Sequence, residues 1–286
     1  MPYGKTIELF LVHGTADSII TAELSNWNGK AIKIPRIEIP SCPRKDITQA
    51  GVYFLFCKED DGSDSVYIGE SENVKDRLIQ HLRDYQADKE KYYWTTAVIF
   101  IGRDLNKTMI RYLENRLVEL AKRCKRYKVL TKNTYQNTVI KESGSAVMEE
   151  FIDDIKVVIN VLGYKVLEPL LQQSPCNPSD DEDLLYISSG SAKATGKVTT
   201  EGFVVLRGST INEKTAKSAS DGIVKLRKKL CEGNKVENLI TMEDLLFPSS
   251  SAAADFILGY SSSGPKTWKD KKGMTLKQIE AGHHEM

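Results

Sequence analysis

Residues 50–82, AGVYFLFCKEDDGSDSVYIGESENVKDRLIQHL, constrain the fold more than any other part of this chain. Two runs rich in β-branched and aromatic residues, GVYFLFCK and SVYIGE, are joined by EDDGSD, whose Asp-Gly dipeptide is a strong hairpin signal. After Ser71 the apolar spacing changes, because Val74, Leu78 and Leu82 recur at intervals of four. The stretch therefore predicts a β-hairpin that leads directly into a helix, with Ser71 as the N-cap.

Four side chains of this stretch are of types that act on phosphates. Tyr53 and Tyr67 lie on the two predicted strands, and the sequence leaves open the register that would place them on one face. Arg77 and His81 are four residues apart on the predicted helix and so point the same way. The alternative is that the phenols are ordinary strand aromatics and that Arg77 and His81 are surface residues.

Cleavage of a phosphodiester by water would use such a set. The reaction requires an activated water, neutralised phosphate oxygens and a stabilised leaving oxygen. A phenol can activate the water only if nearby positive charge lowers its pKa from about 10. A phenol that acts as the base is therefore expected to have positive charge beside it and a lowered pKa.

The next elements supply a carboxylate. TAVIFIG is a nearly continuous apolar run, which is typical of a strand buried on both faces. The segment NKTMIRYLENRLVELAKRC then shows a helical apolar stripe, and Glu114 flanks it. We expect Glu114 to reach the rim of a cleft and to hold one divalent cation, Mg²⁺ or Mn²⁺. The alternative is a surface ion pair with Arg111, three residues earlier on the same helix.

A basic segment follows the carboxylate. The net charge of the chain is only +1, so any electrostatic attraction for nucleic acid must be local. Residues 116–132 contain seven cations and one glutamate, and such a cluster attracts a phosphate backbone. The alternative is a solvated helix end. The residues predicted to contact nucleic acid are Lys122, Arg123, Lys125, Arg126 and Lys128.

The chain divides at a linker. IELFLV and IITAEL predict short strands near the start, and SNWNGKAIKIPRIEIPSCP predicts an irregular connection. QQSPCNPSDDEDLL is rich in proline and acidic residues and predicts a linker. Beyond it we predict a hairpin at GKVTTEGFVVLRGST, a helix at KSASDGIVKLRKKLCEG, a serine-capped helix at FPSSSAAADFILGY and a final short hairpin at KTWKDKKGMTLKQI. The predicted α+β organisation comprises an N-terminal extension (1–46), a first domain (47–171), the linker (172–184) and a smaller second domain (185–286).

Residues 47–165 resemble the GIY-YIG nuclease family. The resemblance is carried by GVY at 51–53, YIG at 67–69, Arg77, Glu114 and a later asparagine, in the family's order; Val52 replaces the isoleucine of the motif. It implies a small, mainly antiparallel sheet flanked by helices and an endonuclease activity that uses one divalent metal.

The family's residue roles follow from the same resemblance. Tyr53 matches the tyrosine proposed as general base or as its direct partner, and Tyr67 matches the tyrosine that helps to position or polarise the water. Arg77 corresponds to the arginine at the scissile phosphate, and His81 to a His or Tyr near the nucleophile. Glu114 matches the metal ligand. Asn133 is our choice for the family's asparagine, with Asn137 as the less favoured candidate.

The second domain resembles the DUF4357 module, which occurs beside nucleases. GFVVLRGST, FPSSSAAADFILGY and WKDKKGMTLKQIEA carry this resemblance, although SSGPKTW replaces the usual Asn-Gly-Trp. Trp268 stands among lysines, where it would either stack on a base or pack in the core. The whole arrangement is similar to bacterial GIY-YIG proteins with a C-terminal DUF4357.

Other classes of protein are disfavoured. The five scattered cysteines favour reduced thiols in a cytoplasmic protein, and no apolar run approaches the ~20 residues of a membrane helix. The sequence has no phosphate-binding or dinucleotide-binding glycine motif and no HExxH. We expect an endonuclease acting on DNA; the alternatives are a catalytically silent module that binds nucleic acid or a partner, or an RNA nuclease.

Overall fold

A computed structural model describes residues 3–131, 138, 140–171, 183–216 and 219–283. The chain divides into two compact units, Met1–Pro169 and Leu170–Met286. Both contain sheets and helices, which confirms the predicted α+β class. Within the described residues, none of the helices is both long enough and apolar enough to cross a membrane. Most of the predicted linker, residues 172–182, lies outside the described residues.

The first unit is built on one sheet, to which seven of its described strands contribute. The order is β1-β2-β3-β6-β4-β5-β7, and neighbouring strands are antiparallel except for β5 and β7. The strands are β1 (Ile7–Leu11), β2 (Ile20–Leu24), β3 (Gly29–Pro35), β4 (Gly51–Lys58), β5 (Asp64–Ser71), β6 (Trp94–Gly102) and β7 (Lys128–Val129). The strands of the predicted extension therefore belong to the same sheet as the hairpin β4–β5.

Helices cover both faces of this sheet. They are α1 (Val74–Gln86), α2 (Lys107–Cys124) and α3 (Glu142–Val161). One face packs against α2 and α3 through residues such as Phe54, Ile110 and Ile152. The opposite face, which carries Tyr53, packs against α1 through Val74 and Leu78. The alternation of side chains along β4 thus directs Tyr53 toward the helix that carries Arg77 and His81.

Two predictions about this unit are wrong. The segment predicted to be an irregular connection contains β3, which pairs along its length with β6. Its apolar residues fill the interior of the sheet between lysines, and Pro35 only closes the strand, where a proline is tolerated. The N-cap of α1 is Asn73 rather than Ser71, because the Asn73 side chain accepts a hydrogen bond from the Asp76 amide.

The second unit contains a smaller sheet with a helical layer. Its described strands β8 (Leu185–Ser189), β9 (Ala192–Thr199), β10 (Gly202–Val205) and β13 (Leu245–Phe247) pair in the order β13-β10-β9-β8, and β11 (Val236–Glu237) pairs with β12 (Ile240–Thr241). The helices are α4 (Asp221–Glu232), α5 (Ser250–Leu258), α6 (Gly264–Thr267) and α7 (Leu276–His283). Trp268 is fully buried, and its indole donates to the Ser250 carbonyl, so it packs in the core.

The predicted final hairpin is also wrong. Lys269 and Thr275 form only an isolated bridge, and α7 follows it. Thr275 and Gln278 explain the helix, since the Gln278 side chain accepts from the Thr275 amide at 2.9 Å and the Thr275 hydroxyl accepts from the Gln278 amide at 3.4 Å. This reciprocal pair is a capping box, which is a signal for the start of a helix.

Candidate active site

The two tyrosines of the hairpin lie on one face of the sheet. Tyr53 is paired with Gly69, and Leu55 with Tyr67, so the phenols are diagonal neighbours. Their ring centroids are 6.2 Å apart with an interplanar angle of 28°. Gly69 makes this possible, because a Cβ at that position would lie 2.5 Å from the Tyr53 hydroxyl oxygen.

Helix α1 brings His81 to Tyr53. The imidazole is fully buried, and its Nε2 lies 2.9 Å from the Tyr53 hydroxyl oxygen. The ring packs edge-on against both phenols, with centroid distances of 5.6 Å to Tyr53 and 5.2 Å to Tyr67. The structure thus brings His81 together with both tyrosines, in direct hydrogen-bond reach of one.

Arg77 lies one turn earlier on α1 and interacts with both phenols. Its guanidinium acts on each hydroxyl through charge and hydrogen bonding, and it is only half-buried. Burial nevertheless raises the pKa of Tyr53 well above its usual value; the neighbouring Tyr67 adds to this rise, and Arg77 only opposes it. Burial raises the pKa of Tyr67 as well, again against Arg77.

The sequence-based expectation of a lowered phenol pKa is therefore wrong. Arg77 interacts with both phenols, but the loss of hydration outweighs its charge because Tyr53 is almost completely enclosed. At neutral pH both phenols are neutral, and each hydroxyl can donate a hydrogen bond.

Glu114 is buried on α2 and is electrostatically coupled to the same group. Burial, followed by the nearby carboxylate of Glu70, raises the pKa of Glu114 to about 7, and Lys107, Arg111 and Arg77 oppose the rise. The charge of Glu114 in turn contributes to the raised pKa of Tyr53. Carboxylate, guanidinium and phenols therefore belong to one electrostatic cluster.

Glu70 is a second buried carboxylate that the sequence did not single out. Lys107 Nζ contacts both of its carboxylate oxygens at 2.8 Å, and Arg111 Nε lies 3.8 Å from Oε1. Arg111, the alternative partner expected for Glu114, thus forms an ion pair with Glu70 and lowers the pKa of Glu114 through its charge. In the sequence, only the position of Glu70 directly after the YIG motif could have drawn attention to it.

The donor set fits a hard divalent cation. Mg²⁺ is held through one or two carboxylates, water and substrate phosphates, so it needs few protein ligands. Among the described residues there is no group of three or more His, Cys, Asp or Glu side chains that could form a closed metal cage. A buried Glu114 whose ionisation is disfavoured by Glu70 gains from an added positive charge, and this agrees with a single-carboxylate site.

His81 has a further partner that sequence reasoning missed. Its Nδ1 lies 2.5 Å from Oε1 of Glu90, in the loop after α1. From the same loop, Tyr92 stacks on Tyr67 with a centroid distance of 5.6 Å and an interplanar angle of 14°. Neither residue stands at a fixed spacing in a regular element, so the sequence offers no pattern that reveals them.

The basic segment lies further along the same unit. Lys122, Arg123, Lys125 and Lys128 are exposed and Arg126 is half-buried. Lys128 pairs with Glu59 at 2.9 Å. A role in nucleic-acid binding stays a prediction for these residues. Asn133 and Asn137 lie outside the described residues.

Comparison with known proteins identifies both units. Residues 49–128 match the model of the GIY-YIG catalytic domain, and residues 185–280 match DUF4357, a domain of unknown function. Neither the search of curated proteins nor the search of solved structures gave a match. The chain therefore carries a GIY-YIG catalytic domain followed by a DUF4357 domain, which confirms the predicted resemblance and supports a nuclease function in general.

Proposed function

We propose that this protein is a metal-dependent endonuclease that hydrolyses phosphodiester bonds in DNA. The observation that carries the proposal is the buried Tyr53 hydroxyl, which lies 2.9 Å from His81 Nε2 and interacts with Arg77. A neutral phenol placed between a base and a cation is suited to pass a proton while the cation holds a phosphate.

Water activation in this proposal uses Tyr53 and His81 together. The raised pKa of Tyr53 means that no stable phenolate is available. The Tyr53 oxygen accepts a proton from the attacking water while its own proton passes to His81 Nε2. The water oxygen forms a bond to phosphorus, and the bond from phosphorus to the 3′ oxygen breaks. Tyr67 lies beside both groups and positions the water.

Arg77 neutralises the scissile phosphate. A guanidinium carries five N–H donors, so Arg77 can interact with both phenols and still offer N–H groups to a phosphate. Its half-buried position leaves part of the side chain accessible to substrate. Asn133 is assigned to the same site by the family resemblance alone.

Glu114 would hold the single divalent cation, Mg²⁺ or Mn²⁺. Bound there, the cation supplies charge neutralisation at the phosphate and stabilises the departing 3′ oxygen. The protein's own contribution is a buried carboxylate with a second one, Glu70, next to it.

Substrate binding is assigned to the basic segment. Lys122 follows Glu114 by eight positions on α2, which is about 12 Å along a helix. A phosphate backbone held at the segment could therefore extend to the site. The DUF4357 domain would add affinity or targeting. The scattered cysteines favour a cytoplasmic location.

The proposal is tested with purified protein, supercoiled plasmid, single-stranded DNA and RNA in Mg²⁺ or Mn²⁺. We expect cleavage of DNA by the wild type and none by Glu114→Ala or Arg77→Ala when circular dichroism shows that both variants are folded. Equal cleavage by these variants would reject the site. Salt-sensitive DNA binding without turnover in any metal would favour the silent binding module, and cleavage of RNA alone would favour the RNA nuclease.

A further inference from the structure

We infer that Glu90 is a positioning residue for water activation. It holds His81 in the tautomer that carries its proton on Nδ1, and so keeps Nε2 free to accept a proton from Tyr53. The consequence for cleavage rests on the proposed function, whereas the control of the His81 tautomer does not.

The three groups form a continuous chain. Glu90 Oε1 lies 2.5 Å from His81 Nδ1, and His81 Nε2 lies 2.9 Å from the Tyr53 hydroxyl oxygen. His81 is fully buried, and the Glu90 side chain is only 14% exposed. Water therefore competes little for either hydrogen bond.

The backbone after α1 is shaped to deliver this carboxylate. Asp88 adopts a left-handed conformation with φ 55°. The amides of Lys89 and Glu90 then donate to the Asp84 carbonyl at 2.9 and 3.3 Å. The chain thus turns back against the end of the helix, and the side chain of residue 90 reaches the imidazole of residue 81.

The direction of each hydrogen bond follows from the partners. An ionised carboxylate can only accept, so the proton of the Glu90 contact must be on Nδ1. In a neutral imidazole Nε2 is then the acceptor, and the Tyr53 hydroxyl is the donor. Without Glu90 the ring could also carry its proton on Nε2, and in that tautomer His81 cannot accept from Tyr53.

Glu90 also stabilises the product of proton transfer. When the Tyr53 proton moves to Nε2 and the water proton replaces it on the phenol, His81 becomes an imidazolium. The Glu90 carboxylate then forms an ion pair with that cation. The same division of labour is seen in Asp-His-Ser triads, where the carboxylate orients the imidazole without taking its proton.

The tautomer is read directly by ¹⁵N NMR of the histidine rings. Among the signals of the chain's four histidines, the one that disappears in His81→Gln is assigned to His81. We expect wild-type His81 to carry a proton on Nδ1, and Glu90→Leu, which offers no acceptor, to populate the Nε2–H tautomer. Asp88→Asn, an exposed residue of the same loop, is the matched control and should leave the spectrum unchanged. A wild-type ring protonated on Nε2, or a Glu90→Leu ring unchanged from the wild type, would overturn the inference.

Single-turnover cleavage measures the consequence. The amide of Glu90→Gln can donate to Nδ1 and so place the ring proton on Nε2. We therefore expect Glu90→Gln to slow the rate at saturating DNA on the order of 10²-fold, with the half-saturating concentration unchanged. Asp88→Asn should cleave as the wild type does. In the His81→Gln background, Glu90→Gln should not lower the cleavage rate further, because Glu90 acts through His81.

The two failures are distinguishable. The positioning role would be contradicted if adding Glu90→Gln to His81→Gln lowered the cleavage rate by a further 10²-fold or so. It would also be contradicted if Glu90→Gln alone cleaved at the wild-type rate. If the wild type cleaves no substrate, the proposed function fails, and the NMR measurement still decides whether Glu90 controls the His81 tautomer.

Discussion

At the residue scale, Tyr53 occupies a site where burial and charge act in opposite directions. Burial favours the neutral phenol and Arg77 favours the phenolate, and burial has the larger effect. The sequence identified the residue types Tyr, Arg, His and Glu through their spacing in the motif. It could not give the sign of the pKa shift, because burial depends on which helix covers the strand.

Gly69 is predicted to be required by the Tyr53 phenol. In Gly69→Ala the new Cβ would lie 2.5 Å from the hydroxyl oxygen and 2.7 Å from Cζ. The ring must shift, so we expect the cleavage rate to fall by about 10²-fold and the free energy of unfolding to fall by roughly 1–3 kcal/mol. Single-turnover kinetics and urea unfolding measure both. Gly144→Ala in α3, where the nearest atom is 3.9 Å away, is the control and should keep full activity. Wild-type kinetics in Gly69→Ala would contradict the observed packing.

Glu114 is predicted to make the metal-free protein less stable as the pH rises. Its folded-state pKa of about 7 lies above the usual glutamate pKa of 4.5, so the folded state binds more protons between these values. The free energy of unfolding therefore falls as pH rises through this window, by up to roughly 3 kcal/mol from this group.

Urea unfolding of the wild type and Glu114→Gln at pH 5 and pH 8, in chelator, checks this linkage. The glutamine side chain does not ionise. We therefore expect the stability of Glu114→Gln, relative to that of the wild type, to be higher at pH 8 than at pH 5. Glu119→Gln, at an exposed position of the same helix, should keep the same offset at both pH values. A Glu114→Gln offset that is independent of pH would show that Glu114 ionises without penalty.

At the scale of elements, the hairpin and α1 were predicted from local signals, and β3 and α7 were not. The Asp-Gly turn and the change of apolar period define β4, β5 and α1 without tertiary information. The register that places Tyr53 opposite Gly69 required the folded sheet. In α7, the Thr275–Gln278 capping box was present in the sequence, but the flanking lysines and Gly273 favoured a turn.

The N-cap of α1 is predicted to affect both stability and the site. Asn73→Ala removes the acceptor for the Asp76 amide, so we expect a loss of about 1 kcal/mol in the free energy of unfolding. Asn73→Ser retains a capping oxygen and should stay close to the wild type. Chemical denaturation measures the difference. Equal stability of the alanine and wild-type proteins would indicate that α1 is held by packing alone.

At the scale of the whole molecule, the chain consists of two units with separate cores. Composition predicts a boundary at residues 172–184, because proline and acidic residues interrupt the apolar patterning there. The activity of the second unit could not be predicted from its sequence, since no set of residues in it matches a known chemistry. The family match at 185–280 carries no assigned function either.

Each unit is predicted to fold alone. Fragments 1–171 and 183–286 should each show a cooperative thermal transition, because each retains its own buried core. Fragment 1–171 should also keep the single-turnover rate at saturating DNA while binding DNA more weakly than the full chain. Circular dichroism and cleavage assays test this. A fragment 1–171 that is folded but inactive would place part of the chemistry in the second unit.

The most direct test of the account is single-turnover DNA cleavage by Tyr53→Phe in saturating Mg²⁺. The change removes only the hydroxyl oxygen that faces His81 Nε2. We predict a rate lower by about 10²- to 10⁴-fold, with DNA affinity retained. Tyr164→Phe, which removes the hydroxyl of a tyrosine stacked on Phe56, should cleave like the wild type. A Tyr53→Phe protein that cleaves at the wild-type rate would contradict the assignment of Tyr53 as the group through which water is activated.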